Sequence, residues 1–257
     1  IGYNLTLTTG TLNIAANSID GSATGAVTLG SGSLLRIAAA NFPSNYASVS
    51  IASSSTVEYN PSFNMTVPDP GGGQSYGNLL LSNSGNRTFN AAITIAGNLT
   101  ATGTVAAVMN AGITVNGSVD IGANTSFDPK AYTHTFKGNY TNNGSTISDA
   151  TNTSTIVMNG TSAQAISGTG LYFYNLTANN SLGVTTSTSF SIAKNFTNDA
   201  GFGVTGTPTT TFNGTTAQAI GGATAPAFYN LTLNNSTGLT INNDVTVNNT
   251  MTFTAGN

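Results

Sequence analysis

The chain has 257 residues, of which only 5% are charged, and it carries a net charge of −3 and no cysteine. Average globular proteins contain roughly 25% charged residues, so Asn, Thr, Ser and Gly supply most of the polar surface here. The few basic residues are scattered and form no stripe to neutralise phosphates, which excludes nucleic-acid binding. Lack of cysteine excludes disulfides and thiolate metal sites, and no apolar run reaches the ~20 residues of a membrane span.

Short strands with an apolar–polar–apolar pattern follow one another along the chain. In chain order they include Leu5–Leu7, Ile93–Ile95, Ile113–Val115, Val119–Ile121, Leu231–Leu233, Leu239–Ile241, Val245–Val247 and Met251–Phe253. Alternation with a period of two predicts strands with one buried and one wet face. Asn and Gly separate these strands, as at Gly97-Asn98 and Asn242-Asn243, and both tolerate the positive φ of tight corners. The sequence therefore predicts a nearly all-β chain.

The second half of the chain contains a duplication. Asn159–Ile166 matches Asn213–Ile220 at an offset of 54 residues, and Phe173–Ser181 matches Phe228–Ser236 at an offset of 55. A fainter copy lies upstream, so we place the internal repeats at about residues 57–100, 155–198 and 210–253. Self-similarity at a fixed period is typical of solenoids and repeat arrays.

Strands of about three residues are too short to be stable as isolated hairpins, but stacking in successive coils stabilises them. We therefore predict a single elongated parallel β-solenoid, or β-helix, over residues 1–257, with roughly a dozen coils. The general preference of parallel crossovers makes it right-handed. The alternative is a pair of β-sandwich domains, which fits less well because the strands are short and evenly spaced.

Residues for catalysis, for a cofactor or for a metal are not grouped in this sequence. The only histidine, His134, lies in the alternating segment Tyr132–Phe136, and we interpret it as a surface strand residue. The eight acidic residues are spread along the chain without an Asp-x-Asp pair. We expect a protein that is not an enzyme, with no catalytic, cofactor-binding or metal-binding residues. A polysaccharide-cleaving enzyme, whose acids would meet through coil stacking, is the remaining enzymatic alternative.

Two aromatic pairs, Phe173-Tyr174 and Phe228-Tyr229, recur at the repeat spacing. We expect one member of each pair to pack in the core, stacked on its equivalent, and the other to contact sugar or a neighbouring molecule. The candidate residues for glycan contact or glycosylation are Tyr174, Tyr229, Asn175 and Asn230. Most of the many Asn-x-Ser/Thr sequons are interpreted as turn or ladder asparagines, which can hydrogen-bond from coil to coil.

Several segments together resemble a known class of sequence. They are Ser55–Asn60, Tyr76–Leu81, Thr133–Gly144 and the duplicated units. They resemble the repeat regions of very large secreted, adhesin-like β-helix surface proteins of Bacteroidetes and related phyla. The resemblance implies an extracellular or cell-surface location and brings no catalytic residues with it.

Neither end of the sequence carries a recognisable cap, and the strand pattern would continue if two copies were placed head to tail. Two explanations fit: a slice of a longer repeat protein, or subunits that stack end to end by strand addition. We expect a non-enzymatic extracellular structural protein, a subunit of a cell-surface filament or stalk whose main partner is itself. The alternative is a glycan-binding adhesin module. The residues expected at the self-assembly interface are Ile1, Tyr3, Leu5, Leu7, Met251, Phe253 and Asn257.

Overall fold

The chain folds as a β-solenoid. In the computed structural model, which describes residues 3–148 and 152–256, parallel strands stack in about 12 turns and no helix occurs within those ranges. The predicted all-β parallel solenoid is thereby confirmed. The chain forms two compact units, Ile1–Phe127 and Asp128–Asn257.

The strands of the first unit form four parallel ladders. In chain order they are Leu5–Leu7 (β1), Gly10–Ala15 (β2), Ala26–Leu29 (β3), Ser33–Ile37 (β4), Ser48–Ile51 (β5), Thr56–Tyr59 (β6), Met65–Thr66 (β7), Asn78–Leu81 (β8), Ser84–Phe89 (β9), Ile93–Ile95 (β10), Leu99–Ala101 (β11), Thr104–Met109 (β12), Ile113–Val115 (β13), Val119–Ile121 (β14) and, at the unit boundary, Ser126–Asp128 (β15). The ladders are β1-β3-β5, β2-β4-β6-β8-β11-β14, β7-β9-β12 and β10-β13. Leu5 pairs with Val27, and Leu99 pairs with Val119, so one coil takes 22 residues at the first place and 20 at the second.

The second unit is built in the same way. Its strands are Thr133–Phe136 (β16), Tyr140–Asn142 (β17), Ser145–Thr146 (β18), Thr155–Met158 (β19), Gln164–Ser167 (β20), Tyr172–Phe173 (β21), Asn175–Ala178 (β22), Val184–Thr186 (β23), Phe190–Ile192 (β24), Asn195–Asn198 (β25), Phe202–Val204 (β26), Thr209–Phe212 (β27), Gln218–Gly221 (β28), Ala227–Asn234 (β29), Leu239–Ile241 (β30) and Thr246–Ala255 (β31). Among its parallel ladders, we call β17-β20-β23-β26 the first, β16-β19-β22-β25-β28-β30 the second and β21-β24-β27-β29-β31 the third.

The core of each coil follows directly from the alternation of apolar and polar residues. On β10, Ile93 and Ile95 are buried while Thr94 points outward. In the second unit the core contains a chain of aromatic rings in edge-to-face contact. Phe190 lies 5.8 Å from Phe173 and 6.0 Å from Phe202, measured between ring centroids. Such pairs contribute about 0.5–1.5 kcal/mol each beyond the area that they bury.

Asparagines at the corners link successive coils. The backbone N–H of Asn98 donates to Oδ1 of Asn78 over 2.9 Å, and Oδ1 of Asn98 accepts the N–H of Ser118 over 2.8 Å. A Cβ at Gly97 would come within 2.3 Å of Asn78 Oδ1, so the ladder requires glycine beside it. Asn98 is followed by buried Leu99 and outward Thr100, so this sequon is a corner motif. The interpretation of such asparagines as ladder residues is confirmed here.

The duplicated unit does not contain a whole number of coils, so its two copies lie on different faces of the second unit. Gln164 of the first copy lies on β20 in the first ladder, whereas Gln218 lies on β28 in the second ladder. Leu176 lies on β22 in the second ladder and Leu231 on β29 in the third. From β16 to β28 each ladder recurs at every third strand, whereas β20 and β28 are eight strands apart and β22 and β29 are seven apart, so the second copy lies one face around the solenoid from the first. The expectation that repeated aromatics stack on their own equivalents is therefore wrong.

The interpretation of His134 as a surface residue is also wrong. His134 is fully buried on β16, on the same inward face as Phe136 two residues later. Its Nε2 lies 2.9 Å from the carbonyl oxygen of Pro129. The alternation was recognised correctly, but a residue two positions from a buried phenylalanine on a strand must share its face.

Candidate functional site

The residues expected to mediate self-assembly lie on the outermost described strands. Tyr3 is 73% exposed beside β1, where Leu5 and Leu7 are half-buried. At the other end of the described chain, Met251 and Phe253 are 39% and 57% exposed on β31. Within the described residues, β31 pairs with β29 along one edge. Ile1 and Asn257 lie outside the described residues.

The candidate glycan residues separate into two kinds. Asn175 and Asn230 hydrogen-bond to the next coil: Asn175 Oδ1 accepts the backbone N–H of Asn195 over 3.2 Å, and Asn230 Oδ1 accepts the side-chain Nδ2 of Asn249 over 2.8 Å. Tyr174 and Tyr229 are both half-exposed, next to the buried Phe173 and Phe228. The expected division of each pair into a core member and an outer member is confirmed. Because the repeats rotate, the two tyrosines do not form one surface.

A buried glutamine explains why the Asn-Gly-Thr…Ala-Gln-Ala-Ile segment is repeated. Nε2 of Gln218 donates to the carbonyl oxygens of Ile192 at 2.8 Å and Lys194 at 3.3 Å. Its Oε1 accepts the N–H of Gly214 at 3.1 Å and Nδ2 of Asn235 at 2.9 Å. All four hydrogen-bonding positions of the amide are satisfied. We call this arrangement the glutamine clamp, because one side chain ties together three consecutive coils.

The first repeat contains the same clamp. Nε2 of Gln164 donates to the carbonyl oxygens of Phe136 at 2.9 Å and Gly138 at 2.6 Å. Its Oε1 accepts the N–H of Gly160 at 2.8 Å and Nδ2 of Asn180 at 3.0 Å. Sequence reasoning identified the repeated segments without assigning the glutamine. Its signal was a glutamine flanked by alanines in a strand, at a position where the alternation requires a buried side chain.

The second unit also has an open groove of about 480 Å³ on its outer surface. Among the residues that line it are Tyr172, Tyr174, Ala193, Asn213, Thr215 and Thr216. The first three are half-exposed and the last three are exposed. Burial, and the proximity of Tyr174, raise the pKa of Tyr172, so the Tyr172 phenol stays neutral at physiological pH. Tyr172 was missed from sequence, although its position two residues before Tyr174 and beside buried Phe173 signals a second outward ring.

In the first unit, a charged cluster on the strands is internally neutralised. Glu58 is buried, and its Oε2 lies 2.7 Å from Nε of Arg36, one coil earlier. Its Oε1 accepts the hydroxyl of Ser82, one coil later, over 2.7 Å. The carboxylate therefore has a partner on each side along the ladder. This arrangement connects β4, β6 and the end of β8, and each carboxylate oxygen of Glu58 has a partner within the ladder.

Arg87 is a fully buried cation that binds backbone carbonyls. Its guanidinium donates to the carbonyl oxygens of Pro61 at 2.6 Å, Ser82 at 2.9 Å and Phe63 at 3.0 Å. Desolvation lowers the pKa of Arg87, although arginine stays charged even so. The role of Arg87 is to hold the loop before β7 against β9.

Two buried tyrosines anchor the Pro/Gly-rich loop at residues 68–73. The hydroxyls of Tyr59 and Tyr76 lie 2.9 Å apart, and Tyr76 donates to the carbonyl oxygen of Pro68 over 2.5 Å. Desolvation raises the pKa of both phenols well above the usual value of about 10. Both stay neutral and structural.

Among residues 3–148 and 152–256, no group of three or more His, Cys, Asp or Glu side chains is placed to hold a metal ion. The same part of the chain contains no helix with the length and apolar character that crossing a membrane requires. Comparison of the chain with protein families, with curated proteins and with solved structures finds no match.

Proposed function

We propose that this chain is a non-enzymatic structural protein of the cell surface, which assembles end to end into a filament or stalk. Extracellular location is part of the proposal, and it is supported by the resemblance of the repeats and by the low content of charged residues. The observation that carries the proposal is the uncharged, proline-free strand β31, which exposes the apolar side chains of Met251 and Phe253.

β31 has the features of a strand that accepts another strand. It is ten residues long, and within the described chain it pairs with β29 along one edge. Proteins usually protect free strand edges with charges, proline or a covering element. Here the sequence Thr246–Ala255 contains neither a charged residue nor proline, and it exposes Met251 and Phe253. A further coil would pair with the backbone of β31 and cover both apolar side chains.

The hydrogen bonds between coils support a mechanical role for the same chain. Corner asparagines and two glutamine clamps connect neighbouring coils in addition to the strand ladders. A force along the stack of coils is therefore shared among the many hydrogen bonds that connect one coil to the next, which suits a stalk or a filament.

Electron microscopy of the purified 257-residue chain over a concentration series tests the proposal. We expect rods that lengthen with protein concentration, because each added subunit adds its strands to the edge of β31. The test variant is Phe253→Lys, which places a charge on β31 and should shorten or abolish the rods.

The matched control is Leu182→Lys. Leu182 is 61% exposed in a turn away from β31. Leu182→Lys therefore introduces the same charge without changing β31. Rods should persist in this variant. Single particles at every concentration, or rods equally sensitive to both substitutions, would contradict end-to-end assembly through β31.

A further inference from the structure

We propose that the groove between Tyr172, Tyr174 and Asn213 binds a neutral carbohydrate. The inference goes beyond the structural role and does not depend on it, because the groove lies on the side of the second unit and not on the edge of β31.

Three successive coils build the groove. The carbonyl oxygen of Phe173 accepts the N–H of Ala193 over 2.8 Å, and that of Ile192 accepts the N–H of Asn213 over 3.1 Å. Ala193 therefore lies on the coil between the tyrosines and Asn213. Its methyl side chain leaves a space of about 480 Å³ with two phenol rings at one end and Asn213, Thr215 and Thr216 at the other. Binding pockets for small molecules start at roughly 300 Å³.

The chemistry of the two ends fits a sugar. A pyranose ring has an apolar face of C–H groups and a rim of hydroxyls. Tyrosine rings offer apolar area together with a polar hydroxyl, and the Asn213 amide and the Thr215 and Thr216 hydroxyls both donate and accept hydrogen bonds. None of the described residues that line the groove is charged. The ammonium group of Lys194, beside the groove, is already bound to Thr216 and Ala217, so a neutral ligand is preferred to an acidic or basic one.

The polar end of the groove is held in place before any ligand binds. The glutamine clamp fixes the loop that follows Asn213, because Gln218 accepts the N–H of Gly214. Nζ of Lys194 binds the hydroxyl of Thr216 at 3.1 Å and the carbonyl oxygen of Ala217 at 2.7 Å. A Cβ at Gly214 would lie 2.0 Å from the carbonyl oxygen of Ala193, so glycine brings this loop against the floor of the groove. Preorganisation of this kind lowers the entropic cost of binding.

The second repeat provides an internal control. Tyr174 corresponds to Tyr229, but the position of Tyr172 is occupied by Ala227. Tyr229 lies on β29, three strands beyond the β21 strand of Tyr172 in the third ladder, so it is three coils away from the groove tyrosines. The second repeat thus presents one outward ring where the first presents two, and the inference assigns the site to the first repeat alone.

Isothermal titration calorimetry with trisaccharides of glucose, mannose, galactose and N-acetylglucosamine tests the site, with a galacturonate trisaccharide as the acidic probe. We expect at least one neutral trisaccharide to bind. Tyr172→Ala and Tyr174→Ala should each weaken that binding about tenfold or more, as the loss of an aromatic anchor does. Tyr174→Phe should keep most of the affinity because the ring remains, and Tyr229→Ala should leave it unchanged.

Far-UV circular dichroism during thermal unfolding verifies that each variant is folded. Absence of binding by every neutral trisaccharide at about 10 mM, far above the Kd of a useful site, would overturn the inference. Tighter binding of galacturonate than of every neutral probe, or equal losses in Tyr174→Ala and Tyr229→Ala, would also overturn it. None of these results bears on rod formation, so the two proposals fail separately.

Discussion

The clamp glutamine Gln218 offers the sharpest test of how this solenoid is stabilised. Gln218→Leu has nearly the same volume, so the substitution removes hydrogen bonds while it changes packing little. Ile192 and Asn235 keep other partners, since the carbonyl oxygen of Ile192 also accepts the N–H of Asn213 and Nδ2 of Asn235 also donates to Thr216. The groups that lose their clamp partner are the N–H of Gly214 and the carbonyl of Lys194.

Each buried polar group left without a partner costs about 1–3 kcal/mol. Gln218→Leu should therefore lower the free energy of unfolding by about 2–6 kcal/mol, a large part of the 5–15 kcal/mol typical of folded domains. Gln164→Leu should behave alike, because its clamp has the same four contacts. Gln74 is exposed, so Gln74→Leu serves as the control and should change stability by less than about 0.5 kcal/mol.

Gln218→Glu adds a pH-dependent version of the same test. A carboxylate at this position faces two carbonyl oxygens and is buried, and both effects raise its pKa above about 4.3, the value of an exposed Glu. Because its folded-state pKa is raised, the carboxyl group of the Gln218→Glu variant contributes stability that is fully present below about pH 4.3. This contribution is lost as pH rises through the folded-state pKa. Relative to the wild type at each pH, Gln218→Glu should therefore be less destabilised at pH 4 than at pH 7.

Guanidinium unfolding, monitored by far-UV circular dichroism, measures all four variants. If Gln218→Leu and Gln74→Leu shift the midpoint equally, the clamp contributes nothing and the reasoning fails. A Gln218→Glu variant whose deficit does not depend on pH would refute the assignment of two carbonyl acceptors to Nε2.

Three further predictions concern other buried or bridging polar groups. Arg87→Met should lower the free energy of unfolding by about 3 kcal/mol or more, because the carbonyls of Pro61, Phe63 and Ser82 lose their donors, and thermal unfolding measures the loss. Asn195→Ala should cost about 1 kcal/mol in the same measurement, whereas Asn195→Asp should cost less because it keeps an acceptor for the N–H of Ala219. Burial lowers the pKa of His134, partly offset by its contact with the Pro129 carbonyl, so its NMR titration should have a midpoint below 6.5. Because the folded-state pKa is lowered, this histidine should reduce stability as pH falls below about 6.5, and a midpoint above that value would contradict its burial.

The fold was predictable from sequence because its determinants are local. Three-residue alternation such as Ile93–Ile95, with Asn and Gly at the corners, defines a strand, its inward face and its turn within a few residues. The ladder role of the asparagines was predictable for the same reason. The buried position of His134 was predictable too, because residues two apart on a strand share a face and Phe136 is an apolar core residue.

The groove and the clamp were not predictable, because they depend on which coils become neighbours. The partners of Gln218 lie between 4 and 26 residues away in sequence, and coil lengths vary from place to place. The register that places Ala193 between Tyr174 and Asn213 follows from local insertions that no short pattern reveals. Tyr229 is a second example: it matches Tyr174 in sequence, but the residues around the two tyrosines in the structure differ.

The rotation of the duplicated unit has a consequence for how such a chain can evolve. When a segment that does not contain a whole number of coils is copied, the strands downstream of the new copy are transferred to a different ladder. A lineage that lengthens by duplication therefore selects strands that are interchangeable among all three ladders, with a corner asparagine, one inward apolar residue and an outward threonine, as in Asn175-Leu176-Thr177 and Asn230-Leu231-Thr232. A surface feature that depends on neighbouring coils, such as the Tyr172–Tyr174 groove, is not inherited with the copy, because its neighbours change. The backbone architecture can thus be multiplied freely, while each binding surface has to arise separately.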